Sequence, residues 1–260
     1  WRLFDLDVAL AAVAIAAVSP LELRYAHEAR PYALCAMLLL ASALAVERAS
    51  RVRSTPAWCL YAILVAAAIS AHPVALLAVP GLLALGSRGA TTDVVVSGRL
   101  RVGGAHLATT AALVAWMPWA FVCFDAYPKV LQLTSWANES IAFLDLVRGW
   151  VGVLTSLFFR PRGAGGLLPL DWPSVTSAVV AAILATAALS MVIAGLVALI
   201  RHNDRRLKLF IMLAVVVPWL TIATVDIAFG GRRSTVARYL ISSWFAIQLA
   251  VAYWLARAGG

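Results

Sequence analysis

Long apolar runs, separated by short polar breaks, make up most of the chain. The runs span residues 6 to 19, 31 to 46, 57 to 71, 74 to 85, 105 to 124, 174 to 200, 209 to 229 and 239 to 256. They lack the alternation of barrel strands, and only helices or closed barrels satisfy every backbone polar group in lipid. The pattern therefore predicts an all-α, polytopic membrane bundle of about eight membrane helices, although several runs are shorter than the ~20 residues of a full span.

The composition excludes a soluble fold. Of the 260 residues, 63% are hydrophobic and 13% are charged, whereas a soluble domain is about half apolar and a quarter charged. The net charge of +9 does not indicate nucleic-acid binding, because the basic residues form short clusters and no continuous basic face. Nearly all of them are Arg, a skew that suggests a bacterial genome rich in GC. We predict one transmembrane domain over residues 1–260.

Three basic clusters set the predicted topology. They lie at residues 48 to 53, 88 to 101 and 201 to 208. Placing all three in the cytoplasm obeys the positive-inside rule and makes 57–85 a hairpin with His72 and Pro73 at its outer tip. The alternative is one long, tilted helix interrupted at these two residues. The outward segments are then 20 to 30, the tip, 125 to 173 and 230 to 238.

The long outer stretch contains one amphipathic run. From Ser140 to Phe159, apolar residues recur at helical spacing. Such a pattern favours an interfacial helix that lies on the membrane surface. A spanning helix would move the 201–208 cluster outside, against the charge rule.

The first candidate site is the link at residues 19 to 34, where charged residues crowd between two apolar runs. Pro31 suits the first turn of the following helix, so an anionic group here could meet both a guanidinium and exposed N–H groups. The alternative is that the charged residues pair with one another at a wet interface. They are Glu22, Arg24, His27, Glu28 and Arg30.

The second candidate site is the loop at residues 230 to 240. Arg232, Arg233 and Arg238 lie in a predicted outward loop, against the positive-inside rule. Planar guanidinium groups bind phosphate in a bidentate fashion, and the phosphate of a polyprenyl lipid lies at this depth. Asp226, near the outer end of the seventh run, is expected to face inward and to pair with Arg232 or Arg233. The alternative is a tolerated exception to the rule, or an inverted loop.

The sequence predicts no metal site and no cofactor. His72 has no second His or carboxylate at ligand spacing. The cysteines lie within apolar runs and form no CxxC motif. A divalent ion is not indicated.

Residues 19 to 46 resemble the GT-C superfamily of membrane glycosyltransferases, above all the bacterial relatives of protein O-mannosyltransferases and of the lipid A aminoarabinose transferases. In that group Ser-Pro is followed by a tyrosine and then by Glu-Ala-Arg-Pro-Tyr-Ala-Leu. The hairpin tip and the Arg238-Tyr239-Leu240 opening of the last helix are also similar to the family. The matching residues of the first motif are Ser19, Pro20, Tyr25, Glu28, Ala29, Arg30, Pro31, Tyr32, Ala33 and Leu34.

The resemblance implies a transferase that moves a mannose- or arabinose-like sugar from a polyprenyl-phosphate donor. The acceptor would be a protein, lipid or glycan at the outer face of the bacterial plasma membrane. The resemblance also implies that Glu28, Arg30 and Tyr32 line the active-site cavity and that Arg238 and Tyr239 contact the donor phosphate. His27 of the charged link and Asp226, as the expected partner of an arginine, are added as binding residues, and Arg232 and Arg233 are added on the topology argument alone.

One departure from the family concerns the catalytic base. The family's catalytic aspartate lies in the first outer loop, before the Ser-Pro motif, and here only Asp5 and Asp7 precede Ser19. The predicted topology puts both near the cytoplasmic end of the first run. We therefore expect that the base lies upstream of Trp1, in a longer enzyme of which this is the C-terminal portion; the alternative is a divergent member of the family. We assign no catalytic residue.

Two other functions stay open at this point. A lipid or solute transporter would also place charges beside a membrane cavity, but transporters often have two related halves with helices broken near the midplane. A noncatalytic membrane subunit of a cell-envelope assembly is the third possibility.

Overall fold

A computed structural model describes residues 4–28, 31–87, 103–159 and 175–258. These residues form α-helices and short 3-10 helices and no strand, so the all-α prediction is confirmed for this part of the chain. The α-helices are α1 Leu6–Val18, α2 Pro20–His27, α3 Tyr32–Val52, α4 Thr55–Ala71, α5 Val79–Gly86, α6 Gly104–Leu133, α7 Phe143–Ser156, α8 Val175–Ile200, α9 Arg205–Phe229 and α10 Ile241–Ala258.

Several of these helices are long and apolar enough to cross a membrane. Five segments among the described residues qualify: α3, residues 104–130 of α6, residues 179–200 of α8, α9, and residues 237–258, which include α10. α1 and α2 together would make a sixth span, bent by 59°. α4 and the segment Pro73–Gly86 are apolar but shorter. The structure is thus a helical bundle suited to a membrane, while the count of eight spans stays a prediction.

The predicted link after the first run is itself a helix. Ser19 ends α1 and caps α2, since its Oγ accepts the N–H of Glu22 at 3.5 Å and donates to the carbonyl of Leu157 at 2.9 Å. Pro20 occupies the first position of α2, where its missing N–H costs nothing. A cap and a proline thus start a new helix directly, and the chain bends there.

One end of the bundle, which we call the Glu47 end, carries two of the basic clusters. Glu47 of α3 is 6% exposed and pairs with Arg51 at 2.6 Å and with Arg206 of α9 at 3.7 Å. Asp5 before α1 pairs with Arg257 of α10 at 2.9 Å. The shared side predicted for the 48–53 and 201–208 clusters is confirmed. The cluster at 88–101 lies outside the described residues.

The predicted hairpin within residues 57–85 is confirmed. A Cβ on Gly86 would meet Val46, beside Glu47, and a Cβ on Gly104 would meet Trp58, so α4 begins and α5 ends at the Glu47 end. His72 lies at the opposite end, which we call the His72 end. Its Nδ1 accepts the N–H of Val74 at 3.2 Å and so caps the 3-10 helix that follows.

The predicted interfacial helix corresponds to α7, which is shorter than the run from Ser140 to Phe159. α7 packs at the His72 end, where Trp150 Nε1 donates to Ser234 Oγ at 2.9 Å. Gly149 allows this approach, because a Cβ there would overlap Thr235.

Asp204, at the Glu47 end, caps the N-terminus of α9. Asp204 accepts the N–H groups of Arg206 at 2.9 Å and of Leu207 at 3.3 Å. Partial burial raises the pKa of the Asp204 carboxyl. Donation from these N–H groups and the charge of Arg206 outweigh it, so the pKa lies below its ordinary value.

Replacing Asp204 with Ala is expected to destabilise the protein by about 1 kcal/mol, because two N–H groups lose their acceptor. In detergent the Tm should fall by about 2–4 °C. Asp204→Asn keeps the accepting oxygen and should stay close to wild type; an equal loss in both variants would contradict the capping role.

Candidate functional site

Five aromatic side chains meet at the His72 end, and we call them the aromatic cluster. Tyr25 lies 5.2 Å from both Tyr32 and Trp244, measured between ring centroids. His72 lies 5.4 Å from Tyr32 and 6.5 Å from Tyr239. Such spacings are those of interacting aromatic rings. The cluster therefore joins α2, the start of α3, the hairpin tip and the start of α10.

The local fold explains why these rings face each other. Tyr25 occupies the second turn of α2, and the bend at Ser19 directs α2 across the end of the bundle. Tyr32 is the first residue of α3, after Pro31, whose carbonyl accepts the first N–H of that helix, from Cys35, at 2.8 Å. A serine cap before α2 and a proline before α3 thus set where the two tyrosines lie.

Arg238 brings a positive charge to the aromatic cluster. Its guanidinium carbon lies 5.1 Å from the ring centroid of Trp136 and 5.2 Å from that of Tyr239, within the range of cation–π attraction. Its Nε is buried and has no hydrogen-bond partner among the described residues. Burial lowers the pKa of His72, and the charge of Arg238 lowers it further. At neutral pH the imidazole is therefore uncharged beside a permanent cation.

Arg233 differs from Arg238, because the guanidinium of Arg233 already donates hydrogen bonds to acceptors of the protein. Its Nη1 donates to Asp226 at 3.1 Å and to the carbonyl of Gly230 at 3.2 Å, and its Nη2 contacts Asn138. The prediction that Asp226 pairs with an arginine of this loop is confirmed, and the partner is Arg233.

Arg232 also donates to protein acceptors and contacts Trp136. Its Nε donates to the carbonyl of Trp136 at 3.0 Å, and its Nη2 lies 3.4 Å from Glu139. Its guanidinium carbon lies 5.7 Å from the Trp136 ring. The indole is therefore in contact with two arginines.

The carboxylate of Asp226 organises the turn between α9 and α10. Its side chain is fully buried, and its Oδ2 accepts both the N–H of Ser234 at 2.6 Å and the Ser234 hydroxyl at 2.7 Å. Gly231 has φ of +131°, and a Cβ there would lie 2.9 Å from Asp226 Oδ1. Only glycine fits this backbone position without strain.

The remaining predicted site residues lie at the edge of this region. Glu28 is half-buried at the end of α2 and pairs with Arg24 at 3.2 Å. His27 is exposed at the last position of α2. Arg30 lies outside the described residues. The pairing of Arg24 with Glu28 matches the alternative in which charges of this link satisfy one another, and the binding roles of Glu28, Arg30 and His27 stay predictions.

Sequence reasoning missed three members of the site. Tyr25 belongs to the motif at residues 19–34 and could have been singled out there. Trp136 and Trp244 lie near the ends of apolar segments, where hydropathy indicates only that a tryptophan belongs to the interfacial belt of a membrane protein. No local signal connects Trp136 with Arg238, about 100 residues later.

Within the described part of the chain, no group of three or more His, Cys, Asp or Glu side chains could hold a metal ion. A comparison with protein-family models, with curated proteins and with solved structures found no match. The chemistry of this site is therefore argued from its own residues.

The Asp226 network predicts a large loss of stability for Asp226→Ala. Removing the carboxylate leaves the Arg233 guanidinium and the Ser234 N–H without their acceptor, which should cost about 3 kcal/mol. Unfolding in detergent would measure it.

Asp145→Ala is the matched control. Asp145 pairs with Arg148 at 3.0 Å, but both side chains are about half exposed, and such pairs contribute about 0–1 kcal/mol. Similar losses in the two variants would show that the buried network does not hold the turn.

Proposed function

We propose that this chain is the membrane domain of a glycosyltransferase that uses a polyprenyl-phosphate-linked sugar as donor. The sugar would be mannose- or arabinose-like. The acceptor would be a protein, lipid or glycan at the outer face of a bacterial plasma membrane.

The observation that carries the proposal is the meeting of separate motifs at one end of the bundle. Tyr32, His72 and Tyr239 come from the three segments that resemble the GT-C superfamily, and their rings form one connected set. Arg238 adds a cation to it. A donor-phosphate site would require these segments to lie together, as their ring contacts show that they do.

Arg238 is the residue best suited to hold a phosphate. Cation–π contact with Trp136 and Tyr239 holds the guanidinium in place without using its Nε–H. Its buried Nε has no partner within the described ranges, whereas Arg233 already donates to Asp226. An anion at Arg238 would supply the missing acceptor and could be bound in a bidentate fashion.

The position of Asp5 does not suit a catalytic base at this site. Asp5 pairs with Arg257, and its neighbour Phe4 packs on His202 at 6.4 Å, so this acid lies at the Glu47 end. The aromatic cluster lies at the other end. We assign no catalytic base to the described residues.

The proposal requires the His72 end to face outward, and cysteine labelling tests this. In a chain whose Cys35, Cys59 and Cys123 are replaced by Ala, Ser140→Cys should react with an impermeant maleimide added to intact cells. Asn203→Cys should react only after permeabilisation; both positions are exposed. The reverse pattern would turn the site towards the cytoplasm and end the proposal.

Arg238→Gln should weaken binding of a radiolabelled polyprenyl phosphate to the chain in nanodiscs by at least about tenfold, because a charge-assisted contact is worth about 1.5–3 kcal/mol. Arg238→Lys should bind the lipid with an affinity between those of wild type and Arg238→Gln, because lysine keeps the positive charge but lacks the planar guanidinium that donates two parallel N–H groups. Arg148→Gln, an exposed arginine at the same end, should bind as wild type does.

Sugar transfer measured on the same samples separates two functions. Loss of transfer together with binding supports the enzyme. Binding at Arg238 with no transfer by the wild-type chain would favour the noncatalytic subunit, and unchanged binding in Arg238→Gln would remove this residue from the site.

A further inference from the structure

A second set of polar atoms lies beside the aromatic cluster, between α2 and α10. These atoms are in the side chains of Glu22, Trp244 and Gln248. Trp244 and Gln248 are each 2% exposed. Glu22 Oε1, Trp244 Nε1 and both amide atoms of Gln248 are buried without a hydrogen-bond partner among the described residues. We call these atoms the polar set.

The helix geometry brings the polar set into one space. Glu22 and Tyr25 lie one turn apart on α2, and Trp244 and Gln248 lie one turn apart on α10, so each pair shares a helix face. The rings of Tyr25 and Trp244 are 5.2 Å apart. The Glu22 carboxyl lies close enough to the Gln248 amide for the two groups to interact, although no hydrogen bond of normal distance and angle joins them.

Such a set is costly in an apolar bundle. Each buried donor or acceptor without a partner costs about 1–3 kcal/mol, and most buried polar groups in proteins are satisfied. An Ile or Leu at position 248 would avoid the cost. A glutamine there, opposite a carboxylate and an indole N–H, indicates that these atoms bind something.

We infer that the polar set binds an uncharged group rich in hydroxyls, which on the proposed function is the sugar of the donor. The set offers donors from Trp244 and Gln248 and acceptors from Gln248 and Glu22, and a hydroxyl is both donor and acceptor. An anion would find no positively charged side chain in the polar set. A hard cation would need about six oxygen ligands, more than these side chains supply.

The position of the polar set agrees with separate sites for the phosphate and the sugar of the donor. Arg238 and the polar set are joined through the aromatic cluster, in which Tyr25 contacts Trp244 on one side and Tyr32 on the other. A phosphate at Arg238 and a sugar at Gln248 would therefore flank the same rings. Access requires α2 to move away from α10, and α2 is an eight-residue helix joined to α1 at a 59° bend.

Binding of free glycosides tests the polar set without any lipid. The purified full chain is unfolded by heat in detergent with methyl α-D-mannopyranoside or methyl β-L-arabinopyranoside. At about ten times the Kd, one of them should raise the Tm by about 3 °C. Gln248→Leu should lose most of this shift, and Trp244→Phe, which keeps an aromatic ring but lacks the N–H, should lose part of it.

Gln132→Leu is the matched control, because Gln132 is exposed on α6; its shift should equal that of wild type and corrects for general effects of sugars on stability. The inference is overturned if neither glycoside shifts the wild-type Tm more than that of Gln248→Leu. The inference also fails if Gln248→Leu is more stable than wild type and its Tm responds to the glycosides as wild type does. In that case the polar set would bind only water.

Lipid binding separates this inference from the proposed function. Gln248→Leu should weaken a sugar-bearing polyprenyl phosphate about tenfold and leave the sugar-free lipid unchanged, whereas Arg238→Gln should weaken both. If glycosides bind through Gln248 but neither lipid binds, the proposed function fails and the hydroxyl site stands. If both lipids bind and Gln248→Leu alters neither, the hydroxyl site fails and the phosphate site stands.

Discussion

The buried carboxylate of Asp226 is the interaction on which the His72 end depends. An ionised group with a fully buried side chain is stable only when it is paired and hydrogen-bonded, and here the partners are Arg233 and both donors of Ser234. These bonds fold the chain between α9 and α10 into a compact turn. Because α10 begins directly after that turn, the same bonds determine where Arg238 and Tyr239 lie.

The three arginines of this segment have different physical roles although the sequence places them within seven residues. Arg233 neutralises a buried acid, and Arg232 donates to the carbonyl of Trp136 and lies near Glu139. Arg238 instead lies against the rings of Trp136 and Tyr239. The Nε of Arg238 is buried and has no hydrogen-bond partner among the described residues. Arg238 therefore combines a fixed position with a donor that a ligand could use.

The two ends of the bundle differ in what their charges do. At the Glu47 end, ion pairs such as Glu47 with Arg206 join neighbouring helices. The His72 end has the aromatic cluster, the buried Asp226 network and the polar set beside α2. Since Ser19 and Pro20 start α2 at a sharp bend, this short helix covers the polar set and brings Tyr25 to the rings. Phosphate chemistry at Arg238 and hydroxyl chemistry at Gln248 would then share one aromatic wall.

Several features follow from the sequence by itself: the helical membrane bundle, the hairpin at His72, the common side of two basic clusters and an arginine partner for Asp226. They could be predicted because hydropathy, charge and capping act over one or two turns of chain. The helix at residues 20–27 has a local N-cap, but the sequence predicts a link there, because charged residues replace the apolar pattern that indicates a membrane helix. Only the tertiary structure decided that Arg233 and not Arg232 holds Asp226 and that Trp136 lies against Arg238. Those contacts depend on how helices far apart in sequence pack, which no local pattern specifies.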